Sequence, residues 1–293
     1  MIEAPRLVPG LHLVATPIGN LRDVTLRALE TLAAADIVAC EDTRVTRKLF
    51  DHYGLATPMM PYHDHNAETA RPKILDMLAA GKSVALVSDA GTPLISDPGF
   101  KLVRAACADG HPVTAAPGAS AVLMALSVAG LPTDRFFFEG FLPAKETARR
   151  ARIAELSRIP ATLVVFESGP RIAAALAELA AGLGPREAAV CRELTKLHEE
   201  VRRGDLTALA GDYAAGAETR GEFALVIAPP APAEQPSAAE IDALLRAALA
   251  RTTLKDAVAE VAAATGEPRR AVYSRALELA KDQKDQDGTR QEI

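Results

Sequence analysis

The sequence predicts an α/β fold of two α/β subdomains, followed by a small all-helical module. Short apolar runs rich in Val, Ile and Phe alternate with Ala- and Leu-rich stretches of helical periodicity. Of the 293 residues, 49% are hydrophobic and 24% are charged, which is typical of a globular chain. A proline-rich stretch follows residue 228, and no strand-like run occurs beyond it. The alternation therefore predicts layered α/β structure before that stretch and helices after it.

Eight apolar runs have the length and the β-branched or aromatic content of buried strands. Helical patterns such as TLRALETLAAA lie between them. This alternation predicts largely parallel strand pairing, because a parallel neighbour needs a crossover connection. The predicted strands are residues 11–16, 36–40, 83–88, 112–116, 136–141, 162–168, 188–193 and 223–228.

Two features divide the chain into predicted units. At APGASA, residues 116–121, a strand ends and a new helical pattern begins. In APPAPAEQPSAAE, four prolines cannot donate to a β-ladder or continue a helix, which predicts a linker. The units are residues 1–117 and 118–229 for the two α/β subdomains, 230–237 for the linker, 238–281 for three helices and 282–293 for a frayed polar tail.

Composition excludes several classes of protein. A net charge of −5 argues against a polybasic nucleic-acid binder. No apolar run approaches the ~20 residues that a membrane span needs, and the N-terminus lacks the pattern of a signal peptide, so we expect a cytoplasmic protein without membrane contact. Cys40, Cys107 and Cys191 lie far apart in apolar runs, and we expect all three to be reduced core residues.

Polar loops that follow predicted strands are the first place to look for chemistry, because ligands of open α/β sheets bind beyond the carboxyl ends of strands. Four such loops, residues 15–23, 40–44, 88–100 and 116–120, are dense in Gly, Pro, Ser, Thr and Asp. Together they predict one lined pocket. A phosphate-binding G-x-x-x-x-G-K-[ST] loop, a dinucleotide G-x-G-x-x-G motif and a G-x-S-x-G elbow are all missing from the sequence.

The string His63-Asp64-His65 places two imidazoles on one face of an extended segment. No third ligand follows with a recognisable spacing, so we predict no metal site. A hydrogen-bonding or substrate-facing role is favoured instead.

Seven strings resemble the ribosomal RNA small subunit methyltransferase I branch of the tetrapyrrole methylase superfamily. They are VATPIGNLRDVTLRA, CEDTRVTRKL, HDHNAE, LVSDAGTPLISDPG, PGASA, RELTKLHEE and GEFALVIAP. The resemblance implies an enzyme that uses S-adenosyl-L-methionine to methylate the ribose 2′-hydroxyl of a cytidine in small-subunit (16S) ribosomal RNA, within the small ribosomal subunit. It also implies a cofactor cleft between two α/β subdomains, and a homodimer.

A pocket for S-adenosylmethionine needs apolar walls and backbone groups close to the ligand. Gly91 permits such an approach, and Ser120 begins a helix whose N–H groups could meet a carboxylate. Gly169-Pro170 stands where relatives usually carry Pro-His, so the role of that imidazole is absent here. The resemblance assigns cofactor contacts to Pro17, Asp89, Ala90, Gly91, Ile95, Ser96, Ser120, Ala121, Phe166, Leu194, Glu222, Phe223 and Ala224.

A ribose hydroxyl is a poor nucleophile until it loses its proton, which requires a general base or a polarising acceptor. We favour Asp42 and Asp23 for this role. Each also has a plain alternative, Asp42 as the N-cap of the helix TRVTRKLF and Asp23 as the cap of VTLRALETL. Further catalytic candidates are Glu41, His63 and Asn66.

Contacts with RNA phosphates are expected from local positive charge. Arg22 and Arg44 could clamp a phosphate near the target nucleotide. Lys145, Arg149 and Arg152 share a predicted helix face, which indicates either phosphate contact or an exposed solubilising helix.

The C-terminal helices contain a turn at Thr265-Gly266 and a helix from near Pro268, a helix-turn-helix pattern in which Arg269 and Arg270 could touch phosphate. Residues 238–293 carry nine basic and ten acidic side chains, whereas a DNA-reading module is normally more basic.

Two alternatives to the RNA methyltransferase remain open. One is a methylase of a tetrapyrrole or another small substrate, and the other is a ligand-sensing DNA-binding regulator. The strings HDHNAE and CEDTR and the helical module favour the RNA enzyme.

Overall fold

The computed structural model describes residues 6–231 and 237–290, with the backbone alone from residue 280 onward. The chain divides into two compact units, Met1–Pro230 and Ala231–Ile293. The described part of the first unit is α/β and that of the second is helical. Residues 232–236, most of the predicted linker, lie outside the described residues.

The first sheet of the described chain is parallel throughout and has the order β3-β2-β4-β1-β5. Alternate residues of its central strand belong to two separate apolar clusters, Val84 and Leu86 to one and Ala85 and Val87 to the other. Both faces are therefore covered, as expected for parallel strands. Its strands are β1 Gly10–Val14, β2 Ile37–Cys40, β3 Met59–Pro61, β4 Ser83–Val87 and β5 Val113–Ala116, and its helices are α1 Leu26–Ala34, α2 Thr43–Tyr53, α3 Ala67–Ala79 and α4 Phe100–Ala108.

The second sheet of the described chain is mixed, and only β6 and β7 pair in parallel. Its order is β6-β7-β10-β8-β9. The elements are α5 Ala121–Ala129, β6 Phe136–Phe141, α6 Glu146–Leu156, β7 Thr162–Ser168, α7 Ile172–Leu183, β8 Glu187–Arg192, β9 Glu200–Asp205, α8 Leu206–Ala214 and β10 Glu222–Ile227.

The prediction of largely parallel pairing is wrong for this second sheet. Residues 193–199 are too few for a crossover helix, so β9 must return antiparallel beside β8. The sequence missed β9 and β3 because neither looks like a buried strand. β9 reads EVRRGD, and β3 is three residues long and ends in Pro61.

The second unit consists of α9 Ala238–Leu249, α10 Leu254–Thr265 and α11 Arg269–Arg290. Ser237 and Glu240 form a capping box at the start of α9, and Gly266 ends α10 with a φ of 73°. The unit has its own apolar core, which includes Leu245 and Val261. Helix α11 extends to Arg290 and so includes residues 282–290 of the predicted polar tail, and residues 291–293 lie outside the described residues.

All three cysteines are free thiols, and Cys40 and Cys191 are buried. The prediction of a core position is wrong for Cys107, which lies on the exposed face of α4. Within residues 6–231 and 237–290, the helices are too short or too polar to cross a bilayer.

Candidate functional site

A cavity of about 390 Å³ opens in the first unit. It is lined by residues from both halves of this unit, the first half being the part with the parallel sheet and the second half the part with the mixed sheet. This volume lies in the range of small-molecule sites. Of the thirteen residues that the resemblance assigns to the cofactor, eleven line the cavity. These are Ala90, Gly91, Ile95, Ser96, Ser120, Ala121, Phe166, Leu194, Glu222, Phe223 and Ala224.

The other two assigned residues, Pro17 and Asp89, do not line the cavity but are next to lining residues in the chain. Pro17 lies between Thr16, which bridges to Gly91, and Ile18, which lines the cavity. The Oδ1 atom of Asp89 accepts a hydrogen bond from the backbone N–H of Asp42 at 2.9 Å. Asp89 therefore ties the loop after β4 to the start of α2.

The loop after β4, residues 88–99, is fixed to its neighbours by backbone bonds. Thr16 and Gly91 exchange two N–H···O bonds of 2.9 and 3.0 Å, and the Thr92 hydroxyl donates to the Ala119 carbonyl at 3.2 Å. Gly91 has a φ of 79°, and a Cβ there would lie 3.3 Å from Ile18. These bonds join the loops after β1, β4 and β5 into one side of the cavity.

Two residues of this loop that are not glycine adopt left-handed backbone angles, Leu94 with φ 75° and Ser96 with φ 63°. This conformation is costly for residues with a Cβ and concentrates at functional sites. Leu94 packs on the core of the first half, and the Ser96 hydroxyl approaches Gly140 of β6, where a Cβ would be 3.2 Å away. The loop therefore reaches across to the second half.

Ser120 is both the N-cap of α5 and a lining residue of the cavity. Its hydroxyl caps α5 by accepting a bond from Leu123 N–H at 3.4 Å, and the residue also lines the cavity with Ala121 and Val122. The N-terminus of α5 therefore faces the cavity, and helix N-termini favour negatively charged groups.

The second half supplies an apolar wall and a charged rim. The Phe166 ring lies 4.9 Å from that of Phe138 in an edge-on contact. Burial raises the pKa of the Cys191 thiol in this wall to about 11. At the rim, Lys196 Nζ donates to carboxylate oxygens of Glu193 and Glu222, both at 2.8 Å.

Sequence reasoning missed a set of lining residues, most of which are neighbours of assigned ones in the same strings. They are Ile18, Thr92, Asp97, Val122, Phe141, Glu167, Ser168, Cys191, Lys196 and Gly221. The string LISDPG could have indicated Asp97, since it is adjacent to Ser96.

A second cavity of about 360 Å³ adjoins the first, and Ser96 and Asp97 line both. Burial raises the pKa of Asp97 to about 6; a hydrogen bond with Ser88 opposes the shift, and the carboxylates of Glu41 and Asp89 add to it. Burial also raises the pKa of Glu41. The lining is Glu41, His63, Asp64, His65, Leu94, Ser96, Asp97 and Pro98.

The environment of Asp42 is that of a helix cap. Its carboxylate accepts from Arg44 N–H at 2.8 Å and pairs with the Arg44 guanidinium at 2.6 Å. These bonds hold the pKa of Asp42 at about 2, which makes it a weak proton acceptor at neutral pH. The capping alternative for Asp42 is confirmed, and its carboxylate lines neither cavity.

The capping alternative for Asp23 is wrong, because Thr25 caps α1 by accepting from Ala28 N–H at 3.1 Å. Asp23 lies in a short 3-10 helix, and its Oδ2 is buried without a hydrogen-bond partner among the described residues. It lines neither cavity.

Of the further catalytic candidates, Glu41 and His63 line the second cavity. Asn66 instead shapes the turn before α3, where its side chain accepts from His63 N–H at 2.9 Å and donates to the Pro61 carbonyl at 3.0 Å. The described residues contain no group of three or more His, Cys, Asp or Glu side chains that is arranged to bind a metal ion.

Two of the three residues on the predicted basic face of α6 are paired with carboxylates, which differs from the exposed cations that the sequence predicts. Arg149 is 9% exposed and makes two bonds of 2.7 Å to Glu178. Arg152 is held by two bonds to Glu139, at 2.8 and 2.7 Å. These guanidinium groups link elements of the fold, because each faces a carboxylate on a neighbouring element.

The remaining predicted phosphate contacts are exposed, although Arg44 is paired with Asp42. The exposed residues are Arg22, Arg44, Lys145, Arg269 and Arg270.

Two family models match the chain. Residues 10–210 match the Tetrapyrrole (Corrin/Porphyrin) Methylases, and residues 235–280 match the RsmI C-terminal HTH domain. Among solved structures, a diphthine synthase superposes with a TM-score of 0.58 at 17% identity, covering 74% of this chain and 89% of that one. A uroporphyrin-III C-methyltransferase from Thermus thermophilus, complexed with S-adenyl homocysteine, gives 0.51 at 23% identity, covering 75% and 97%. The chain belongs to the tetrapyrrole methylase family.

Curated relatives define the branch of that family. The chain is 51% identical to the Ribosomal RNA small subunit methyltransferase I of Mesorhizobium japonicum, with 98% of each chain covered. It is 48% identical to the protein of that name from Xylella fastidiosa, with 90% of this chain and 98% of the relative covered. Within the tetrapyrrole methylases it therefore falls in the ribosomal RNA small subunit methyltransferase I branch.

Proposed function

We propose that this chain is an S-adenosyl-L-methionine-dependent methyltransferase that 2′-O-methylates the ribose of a cytidine in small-subunit (16S) ribosomal RNA. It would act in the cytoplasm on the small ribosomal subunit, as a homodimer. The observation that carries the proposal is the cavity lined by eleven of the thirteen assigned residues, in a chain that shares about half its residues with relatives of that name.

The chemistry of the cavity fits S-adenosylmethionine. When bound, this cofactor supplies a methyl group that its sulfonium has already activated. Phe166, Leu194 and Ala224 offer an apolar wall of the kind that a flat base requires. The N–H groups at the start of α5 suit a carboxylate, and Gly91 lets the backbone approach closely.

RNA would be held outside the cavity by exposed cations. Arg22 and Lys145 in the first unit and Arg269 and Arg270 in the second are the favoured phosphate contacts. Arg149 and Arg152 do not belong to this set, because their guanidinium groups are occupied.

The test is methyl transfer from labelled S-adenosylmethionine to small ribosomal subunits from cells that lack this protein. We expect one labelled ribose, identified as a 2′-O-methylcytidine by mass spectrometry of 16S RNA fragments. Naked 16S RNA is the comparison that shows whether the assembled subunit is required. Methylation of a tetrapyrrole such as uroporphyrinogen III, with none of the RNA, would contradict the proposal.

A further inference from the structure

Asp97 lines both cavities of the first unit. We propose that Asp97 is the general base of methyl transfer and that the second cavity receives the nucleotide whose ribose is methylated. This inference rests on the proposed function, and it replaces Asp42 and Asp23 as the acceptor of the proton.

The position of Asp97 follows from how its loop is anchored. On one side, Leu94 packs on the core of the first half. On the other, Gly99 has a φ of 134°, and a Cβ there would lie 3.0 Å from Leu86. These two packed residues flank the segment that carries Asp97, whose half-buried side chain lines both cavities.

The charges around the second cavity indicate the kind of group that enters it. Glu41, Asp64 and Asp97 line it with carboxylates, and His63 and His65 add imidazoles. A phosphate would be repelled by three carboxylates, whereas hydroxyl and amino groups can donate to them. The sugar and base of a nucleotide therefore fit this cavity, and its phosphates belong outside.

The environment of Asp97 also suits proton transfer. Burial raises the pKa of Asp97, and the carboxylates of Glu41 and Asp89 raise it further. A hydrogen bond with Ser88 lowers it in part, and the resulting pKa is about 6. Such a group is mostly ionised at pH 7.5, yet it is a stronger base than an ordinary aspartate. Asp42, with a pKa of about 2, lacks this property.

The step is balanced without any other reactant. The O–H bond of the ribose breaks and its proton passes to an Asp97 oxygen. The hydroxyl oxygen bonds to the methyl carbon while the bond between that carbon and sulfur breaks, so a neutral thioether leaves with the electron pair. The proton is later released to solvent.

The first experiment compares the wild type with Asp97→Asn in single-turnover methylation of small ribosomal subunits between pH 5.5 and 8.5. Asp76→Asn, on the exposed face of α3, is the matched control. We expect Asp97→Asn to lower the rate about 10²–10⁴-fold and to abolish the rise of the rate with pH near 6. Its Kd for S-adenosylmethionine, measured by calorimetry, should stay within about twofold of the wild type, and Asp97→Glu should recover part of the rate.

The second experiment fills the second cavity from its exposed rim with Asp64→Trp. We expect a loss of about tenfold or more in kcat/KM for the subunit, with unchanged affinity for S-adenosylmethionine. An unchanged kcat/KM would refute the nucleotide site.

The outcomes separate the two proposals. A wild-type protein that methylates no RNA overturns the proposed function and the role of Asp97 with it. Where the wild type is active, a near-normal rate for Asp97→Asn, a retained pH dependence, or an equal loss of cofactor affinity overturns the role of Asp97 alone. A loss of the pH dependence in Asp42→Asn or Asp23→Asn instead would return the base to the sequence-derived candidates.

Discussion

At the residue scale, aspartates close together in the fold have different properties because their neighbours differ. The Arg44 guanidinium keeps the half-buried Asp42 carboxylate ionised, whereas burial and two other carboxylates favour the protonated form of Asp97. Asp89 differs from both, since its carboxylate accepts a hydrogen bond from the backbone N–H of Asp42 and so joins two loops.

Replacement of Asp89 by Ala should affect the cofactor cavity indirectly. The loss of the bond to Asp42 N–H should lower the free energy of unfolding by about 1–3 kcal/mol and weaken S-adenosylmethionine binding, because the loop at 88–99 loses an anchor. Urea denaturation and calorimetry measure the two effects. Asp89→Asn keeps an acceptor oxygen and should retain most of both. Loss of binding in Asp89→Ala at wild-type stability would instead indicate direct contact with the cofactor.

The three thiols should differ in reactivity. Burial raises the pKa of Cys191 to about 11 and also raises that of Cys40, and only the thiolate is nucleophilic. At pH 8 we expect a thiol-specific dye to react rapidly with Cys107 alone in the native protein, and with all three thiols in denaturant. Cys107→Ser should remove the rapid phase. A rapid phase that persists in this variant would show that Cys40 or Cys191 becomes exposed in the native protein.

At the element scale, α6 is attached to the fold by charge as well as by apolar packing. The Arg149–Glu178 pair joins it to α7, and the side chains are 10% and 13% exposed. Ile153 and Leu156 of the same helix are buried in the core of the second half. The basic residues of α6 thus serve stability at two of the three positions predicted for RNA.

Replacement of Arg149 by Met should destabilise the protein by about 3 kcal/mol, because Glu178 would keep a buried charge without its partner. Urea denaturation measures this loss. Lys145→Met, at an exposed position, is the matched control and should change stability by less than about 0.5 kcal/mol. If Arg149→Met were as stable as the wild type and bound the ribosomal subunit with a shallower salt dependence, Arg149 would be a phosphate contact after all.

At the scale of the whole molecule, the two units have separate cores. The apolar cluster of Leu245, Val258, Val261 and their neighbours consists only of residues from the second unit. The cofactor cavity consists only of residues from the first. Because each unit has an apolar core of its own, we expect the first unit to fold without the second.

A chain that stops at Pro230 should fold and bind S-adenosylmethionine with wild-type affinity, because every residue of the cavity is present. Its methylation of the small ribosomal subunit should be weakened if residues 238–281 dock on the substrate. Arg269→Glu with Arg270→Glu in the full chain should reproduce part of this defect, and added salt should enlarge it. Wild-type methylation by the shortened chain would exclude the docking role.

The sequence by itself determined the α/β class, most strand positions, the helical module and the strings that form the cavity. These features depend on local periodicity, on turn residues and on motifs that are continuous along the chain. Alternation of strands and helices did not determine pairing direction in the second sheet, since that depends on which strands become neighbours.

Only the tertiary structure decided which charged residues are free to act. Arg149 meets Glu178 across 29 positions of the chain, and the raised pKa of Asp97 comes from its burial and then from the Glu41 carboxylate. Neither environment can be deduced from neighbours in sequence. Electrostatic energies depend on distance and solvent exposure in space, so the role of an ionisable side chain is settled only when the chain has folded.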